Sequence, residues 1–237
     1  MATKEKRVGK AKVITDRDRE LLRFVGQGGV ASLNQIHHRH WTTAQERTAQ
    51  ERLQQLVSAG YLEKAYTDTR KSSEAIYGLT RKGAALFDKL EQHHLTIGLP
   101  THNEMKQQLY AQDTRLVLER HLTERGGKLV GWHNERELRS LQRREQLAQG
   151  QCFNTRLQFE DIADAQVIIA DASGQETVLD IEIDGEYFGK MLKEKIANYE
   201  RMGRPTLWVS MGQGRGKRIE REVQEAHAGN INVMVIL

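Results

Sequence analysis

The chain has 237 residues, 38% hydrophobic and 29% charged, which excludes an intrinsically disordered polypeptide and leaves room for one or two folded domains. No apolar run is long enough for a transmembrane helix, and the basic opening MATKEKRVGKAK has no apolar core behind it, so neither membrane insertion nor a secretory signal is expected. A lone cysteine, Cys152, excludes a disulfide framework and a cysteine-based zinc site and suits a reducing cytoplasm; the net charge is +4.

In chain order, residues 1–14 read as a basic arm that could touch phosphate or simply be a solvated tail. Thr15 can cap a helix through Asp16–Gly26, with Leu21, Leu22 and Val25 on its apolar face and Gly28-Gly29 ending it. A short helix follows over Ser32–His38. A third, over Thr43–Ala59, places Leu53, Leu56 and Val57 at helical spacing before Gly60. Two β-runs, YLEKAYT and AIYGLT, flank the polar turn DTRKSSE, and a further helix spans Arg81–Gln92. Three helices and then a hairpin with a charged tip is the order of a winged helix-turn-helix over residues 15–92. In that motif the third helix reads the groove. Its exposed positions Thr43, Gln45, Arg47, Thr48, Gln50 and Arg52 are of types that contact base edges and phosphates. Arg70 and Lys71 at the hairpin tip would reach phosphate or the minor groove. The alternative is an ordinary polar helix face and a solvated loop. Charge favours DNA binding: residues 1–100 hold 17 basic and 11 acidic side chains, the remainder 19 and 21.

Residues 93–124 read as a linker with Pro100, then a long helix over Glu104–Glu124 closed by Gly126-Gly127. From 125 to 237 the chain reads as LVGWHN, a strand, and a helix ERELRSLQRREQLAQ. A loop over 146–160 leads to two strands across 164–184 with a turn at Ser173-Gly174. Helix Phe188–Met202, strand Pro205–Ser210, helix Lys217–His227 and strand Ile231–Leu237 follow. This order predicts a three-layer α/β domain, so the whole chain is expected to be α+β.

The chemistry concentrates in EDIADAQVIIADASGQETVLDIEIDGEYFGKMLKEKIANYE. A carboxylate inside an apolar β-run must be paired or bind metal. Glu182 and Asp184 share one face of a strand, with Asp180 in the same parity and Ile181 and Ile183 on the other. Asp164 opens the neighbouring strand. Lys195 and Tyr199 share a helix face, and Glu135 opens an earlier helix. Asp164, Glu182 and Asp184 are oxygen donors suited to Mg²⁺ or Mn²⁺, as a metal-dependent phosphodiesterase needs. A solvent-facing acidic strand edge is the competing reading. GRGKR at 214–218 reads as a basic turn, in contact with phosphate or a plain loop. His38-Arg39-His40 lies in the helix-turn-helix and is rejected as a metal motif.

Residues 130–210 resemble the PD-(D/E)xK, restriction-endonuclease-like superfamily. The resemblance puts Asp164 in IADA and Glu182 in IEID at the family's acidic positions, with Glu135 as the extra helical glutamate. Asp184 stands where that pattern has lysine, and Lys195 would supply the lysine from the helix. WHNERELR, ADAQVII, LDIEIDGEYFGKMLKEKIANYE and RPTLWV, joined to a winged helix, resemble the MOBC class of plasmid mobilisation relaxases and the plasmid replication-relaxation proteins. That resemblance implies site- and strand-specific nicking at a plasmid transfer origin with a divalent metal. It also implies a coupling protein and accessory mobilisation proteins as partners. Lys195 would stabilise the transition state or position the nucleophile. Tyr199 is expected to pack or orient, while a covalent role for Tyr199 or Tyr187 stays open. The rival function is a non-catalytic DNA-binding regulator or accessory protein with a degenerate nuclease-like domain.

Overall fold

The computed structural model describes residues 13–41, 45–67, 73–150, 162–185 and 187–236. Among the described residues helices and strands mix in an α+β arrangement with two sheets. Contacts divide it into two compact units, 1–109 and 110–237, and the division falls inside one helix.

In the first unit, α1 (Asp16–Gly28) starts at a reciprocal cap. Thr15 Oγ1 accepts from the Asp18 amide, and Asp18 accepts from the Thr15 amide at 2.8 Å. Its Leu21, Leu22, Phe24 and Val25 are buried, and Gly29 ends it at φ +79°, where a side chain would be strained. β1 (Ala31–Ser32) pairs antiparallel with Ile76 and Tyr77, a two-residue strand that sequence periodicity did not announce. Ser32 and Gln35 form a second reciprocal cap on α2 (Leu33–His40). α3 (Glu46–Ser58) turns Ala49, Leu53 and Leu56 inward. β2 (Leu62–Thr67) and β3 (Glu74–Leu79) form an antiparallel hairpin, giving sheet order β1-β3-β2.

The single helix expected over Arg81–Gln92 is two: α4 (Arg81–Ala84) and α5 (Lys89–Gln92). Each has its own cap. Thr80 Oγ1 accepts from the Gly83 amide, and Asp88 accepts from the Glu91 amide. A good N-cap inside a helical pattern competes with continuation of the helix. The long α6 (His102–Glu124) begins after Thr101, whose amide and hydroxyl both donate to Glu104.

The second unit is built on one mixed sheet, order β4-β5-β6-β7-β8. β4 (Lys128–Asn134), β5 (Ala165–Ala170) and β6 (Glu176–Ile183) pair antiparallel in succession. β7 (Thr206–Met211) and β8 (Ile231–Ile236) continue parallel to β6. Parallel neighbours need crossover connections. Here α8 (Gly189–Met202) and α9 (Gln213–Glu225) supply them, while α7 (Glu135–Ala148) follows β4. Trp132, Val167, Ile181, Ile183 and Val209 pack with Ala111 of α6 on one face of the sheet. Trp208 packs with Leu192, Ile196 and Tyr199 of α8 and Ile219 and Val223 of α9 on the other. Strand alternation therefore fixes that Glu182, between Ile181 and Ile183, belongs to the α8 face.

Candidate functional site

Glu182 is fully buried and pairs in register with Trp208 of β7. Its Oε1 forms an ion pair with Lys195, and its Oε2 accepts the Tyr199 hydroxyl at 2.6 Å. Lys195 and Tyr199 lie four residues apart on α8, so one helix face delivers both to one carboxylate. Lys195 Nζ also donates to the Tyr187 hydroxyl at 2.9 Å and stands 4.5 Å from that ring's centroid. Asp164 lies one residue before β5, just beyond the last register pair Ala165–Ile181, and accepts the Ile183 amide at 2.7 Å.

These groups perturb one another. Burial pushes the Asp164 carboxyl well above the usual carboxylate range, and the negative charge of Glu182 adds to it; Lys195 and the Ile183 amide only partly offset them. Burial also raises Glu182, against the pull of Lys195 and Tyr199. Burial opposes the charge on Lys195, but Glu182 and Asp164 outweigh it and hold the ammonium above its ordinary value. Burial and then Glu182 push both Tyr199 and Tyr187 up, so each stays a neutral hydroxyl.

Glu135 opens α7, where Asn134 caps the helix through the Glu137 amide, and is itself paired with Arg139. Its charge adds to the upward push on both Asp164 and Glu182, so it belongs to the same electrostatic neighbourhood.

Asp184 has a different partner from the one its strand parity suggests. Arg215 grips both its oxygens, at 2.7 and 2.8 Å, and also donates to the Tyr187 carbonyl. Asp180, also of that parity, accepts from Gln166 at 2.8 Å and pairs with Arg204 at 2.8 Å. The three acids of DIEID thus each meet one cation: Arg204, Lys195 and Arg215 respectively. Sequence reasoning found only Lys195. It passed over Arg204, although the residue stands at the entry to β7, two residues before Thr206, the register partner of Asp180. GRGKR, which the sequence reads as a basic turn, lies instead within α9, with Arg215 near its start.

Asp164 and Glu182 share one ammonium among two carboxylates, with Glu135 adding negative charge. Burial is the main cause of their raised affinity for protons, and a divalent cation bound there would lower it. Their oxygens are hard donors that suit Mg²⁺ or Mn²⁺. Asp184 would first have to release Arg215.

In the first unit, Gln45 precedes α3 at its N-cap, and Gln45, Arg47, Thr48 and Gln50 are exposed. Arg47 bridges to Glu51 at 2.9 Å, and Gln50 donates to Glu46 at 2.6 Å. Arg52 points elsewhere. It forks onto the buried Asp18 and also donates to Gln55 and the Val13 carbonyl, tying α3 to α1. Thr43, Arg70 and Lys71 lie outside the described residues.

Among curated proteins, no match is found. The family model for replication-relaxation proteins matches residues 22–211, a span that includes Glu135, Asp164, Glu182, Asp184, Lys195 and Tyr199. The chain belongs to the replication-relaxation family.

Proposed function

We propose that the chain is a divalent-metal-dependent DNA-nicking protein that acts at a plasmid transfer origin, in the manner of the MOBC-class mobilisation relaxases. Family membership points to a role in plasmid replication or mobilisation. The observation that carries the finer reading is two buried carboxylates, Asp164 and Glu182, that act on each other electrostatically, with Lys195 delivered onto Glu182 from the next helix. An antiparallel β4-β5-β6 meander followed by α8 and a parallel β7 supports the PD-(D/E)xK-like reading of the second unit. Three helices before a hairpin support a winged helix-turn-helix in the first.

Asp164 and Glu182 would hold Mg²⁺ or Mn²⁺, and the ion would polarise a phosphate and activate the attacking oxygen. Lys195 offers its ammonium to charge developing on the phosphate. Tyr187 and Tyr199, both kept neutral, orient Lys195 and Glu182. Gln45, Arg47, Thr48 and Gln50 would face DNA. A coupling protein and accessory mobilisation proteins fit such a role as partners. The test is supercoiled plasmid carrying the cognate transfer origin, incubated with Mg²⁺, Mn²⁺ or EDTA, with Asp164→Ala alongside. Metal-dependent open circles that the variant does not form are expected; no nicking in either metal, or undiminished nicking by the variant, sinks the proposal.

A second reading has an observation of its own. Every acid of DIEID already meets a cation within the chain, as a non-catalytic DNA-binding regulator or accessory protein would allow. Mn²⁺ titration followed by the loss of the free ion's paramagnetic resonance separates the two. Stoichiometric binding abolished by Asp164→Ala favours the enzyme, and no binding favours the regulator.

A further inference from the structure

Phe188 is 59% exposed, directly after Tyr187 and at the N-cap of α8. It is not an isolated apolar residue on a polar surface. The guanidinium of Arg215 lies 4.8 Å from its ring centroid and that of Arg218 5.4 Å. Both come from α9, three residues apart, so they approach the ring from one helix face. Arg215 is fixed by its fork on Asp184 and its bond to the Tyr187 carbonyl. Arg218 beside the ring is exposed, as are Lys217, its neighbour in the chain, and Lys190, two residues after Phe188 and bridged to Glu194 at 3.3 Å.

We infer that Phe188 is a stacking platform for an unpaired nucleobase of a DNA strand led to the acidic site, with Arg218, Lys190 and Lys217 meeting its flanking phosphates. The inference rests on the nuclease reading of that site. A nucleotide combines a flat π-face with an anionic phosphate, and an open aromatic ring among cations matches both halves. Bases inside a duplex are already stacked and paired, so a lone ring suits a single strand. Continuity with the site is covalent: the Tyr187 hydroxyl accepts from Lys195, and the next residue is the platform.

The test uses the full chain in EDTA and fluorescence anisotropy of a labelled mixed-sequence oligonucleotide, single-stranded or annealed to its complement. Wild type, Phe188→Ala and Phe188→Trp are compared. Phe188→Ala should weaken single-strand binding about tenfold and leave duplex binding unchanged. Phe188→Trp should keep single-strand affinity, and its indole should be quenched by the oligonucleotide. Trp41, Trp132 and Trp208 are buried, so a stacked base does not reach them and their emission is a constant baseline. Wild-type affinity in Phe188→Ala, an equal loss on single strand and duplex, or an unquenched indole overturns the platform. If wild type fails to nick plasmid yet the Phe188 variants behave as expected, the platform stands and the nicking reading falls.

Discussion

The ammonium of Lys195 is held against Glu182, whose carboxylate is completely buried while the lysine side chain is 19% exposed. Neither charge is near enough to bulk water to be solvated well, so each depends on the other. Lys195→Met leaves Glu182 without its counter-charge and should destabilise the second unit by about 3–5 kcal/mol. Glu182→Gln strands Lys195 in the same way. The double variant removes both charges and should cost less than the sum of the singles, with a coupling of about 1–3 kcal/mol. Urea unfolding of the four proteins checks this. Additive losses would mean that the pair contributes nothing as a pair.

Asp164 gives a pH signature. Its folded-state value is raised well above 3.8, so the folded chain binds its proton more tightly than the unfolded chain does. The sign follows: this contribution to stability is present below about 3.8 and is lost as pH rises through the folded value. At neutral pH the buried Asp164 carboxyl is therefore a liability to the fold. Asp164→Asn should therefore stabilise the fold at pH 7 by roughly 0.5–2 kcal/mol, while abolishing any metal-dependent nicking. Its advantage should shrink as pH falls toward 4. Denaturation of both proteins at several pH values isolates the effect from other titrating groups; a constant difference across that range contradicts it.

Much of this arrangement was legible in the sequence because it depends on near neighbours. The alternation in DIEID fixed which strand face carries Glu182, and the four-residue spacing of Lys195 and Tyr199 put both on one helix face. Thr15 and the Ser173-Gly174 turn are local signals too; the Asp171 carboxylate there accepts from both Ser173 and Gln175. What stayed hidden depends on long-range placement. Arg215 finds Asp184 31 positions away, which requires the β6-β7 register and the crossover through α8. β1 exists only because β3 is beside it. The break between α4 and α5 was a local signal that helical periodicity masked, since Thr80 and Asp88 are each good caps.

Two arginines of α3 that look alike in sequence should separate cleanly. The Arg52 side chain is 22% exposed and braces Asp18, which is 1% exposed. Burial alone would raise Asp18, but Arg52 and Thr15 more than offset it and hold the carboxyl below 3.8. Asp18 therefore contributes stability that is present above 3.8 and lost as pH falls through its lower folded value. Arg52→Ala should destabilise the first unit by about 2–3 kcal/mol at pH 7. The Arg47 side chain is 83% exposed beside Glu51, so Arg47→Ala should change stability by less than about 0.5 kcal/mol. On the proposed reading, Arg47→Ala should instead weaken binding of transfer-origin duplex and lower its salt dependence. Thermal unfolding and duplex anisotropy, measured on both variants, test the separation. Equal effects of the two substitutions on both readouts would count against it.

Gly83 offers a test of the first unit's packing that involves no charge. A Cβ added there would collide with the backbone carbonyl of Tyr61 and lie 2.7 Å from Leu79 Cδ1. The same carbonyl accepts from the Thr80 amide and hydroxyl, so it cannot retreat without loosening the cap of α4. Gly83→Ala would ordinarily favour a helix. Here overpacking against backbone should dominate and cost about 1–3 kcal/mol. Gly214, with no atom near its added Cβ, is the control: Gly214→Ala, inside α9, should be neutral or stabilising by up to about 1 kcal/mol. Denaturant midpoints of the two variants decide the matter. A stabilised Gly83→Ala would show that the contact of the Tyr61 carbonyl with α4 yields more readily than its hydrogen bonds imply.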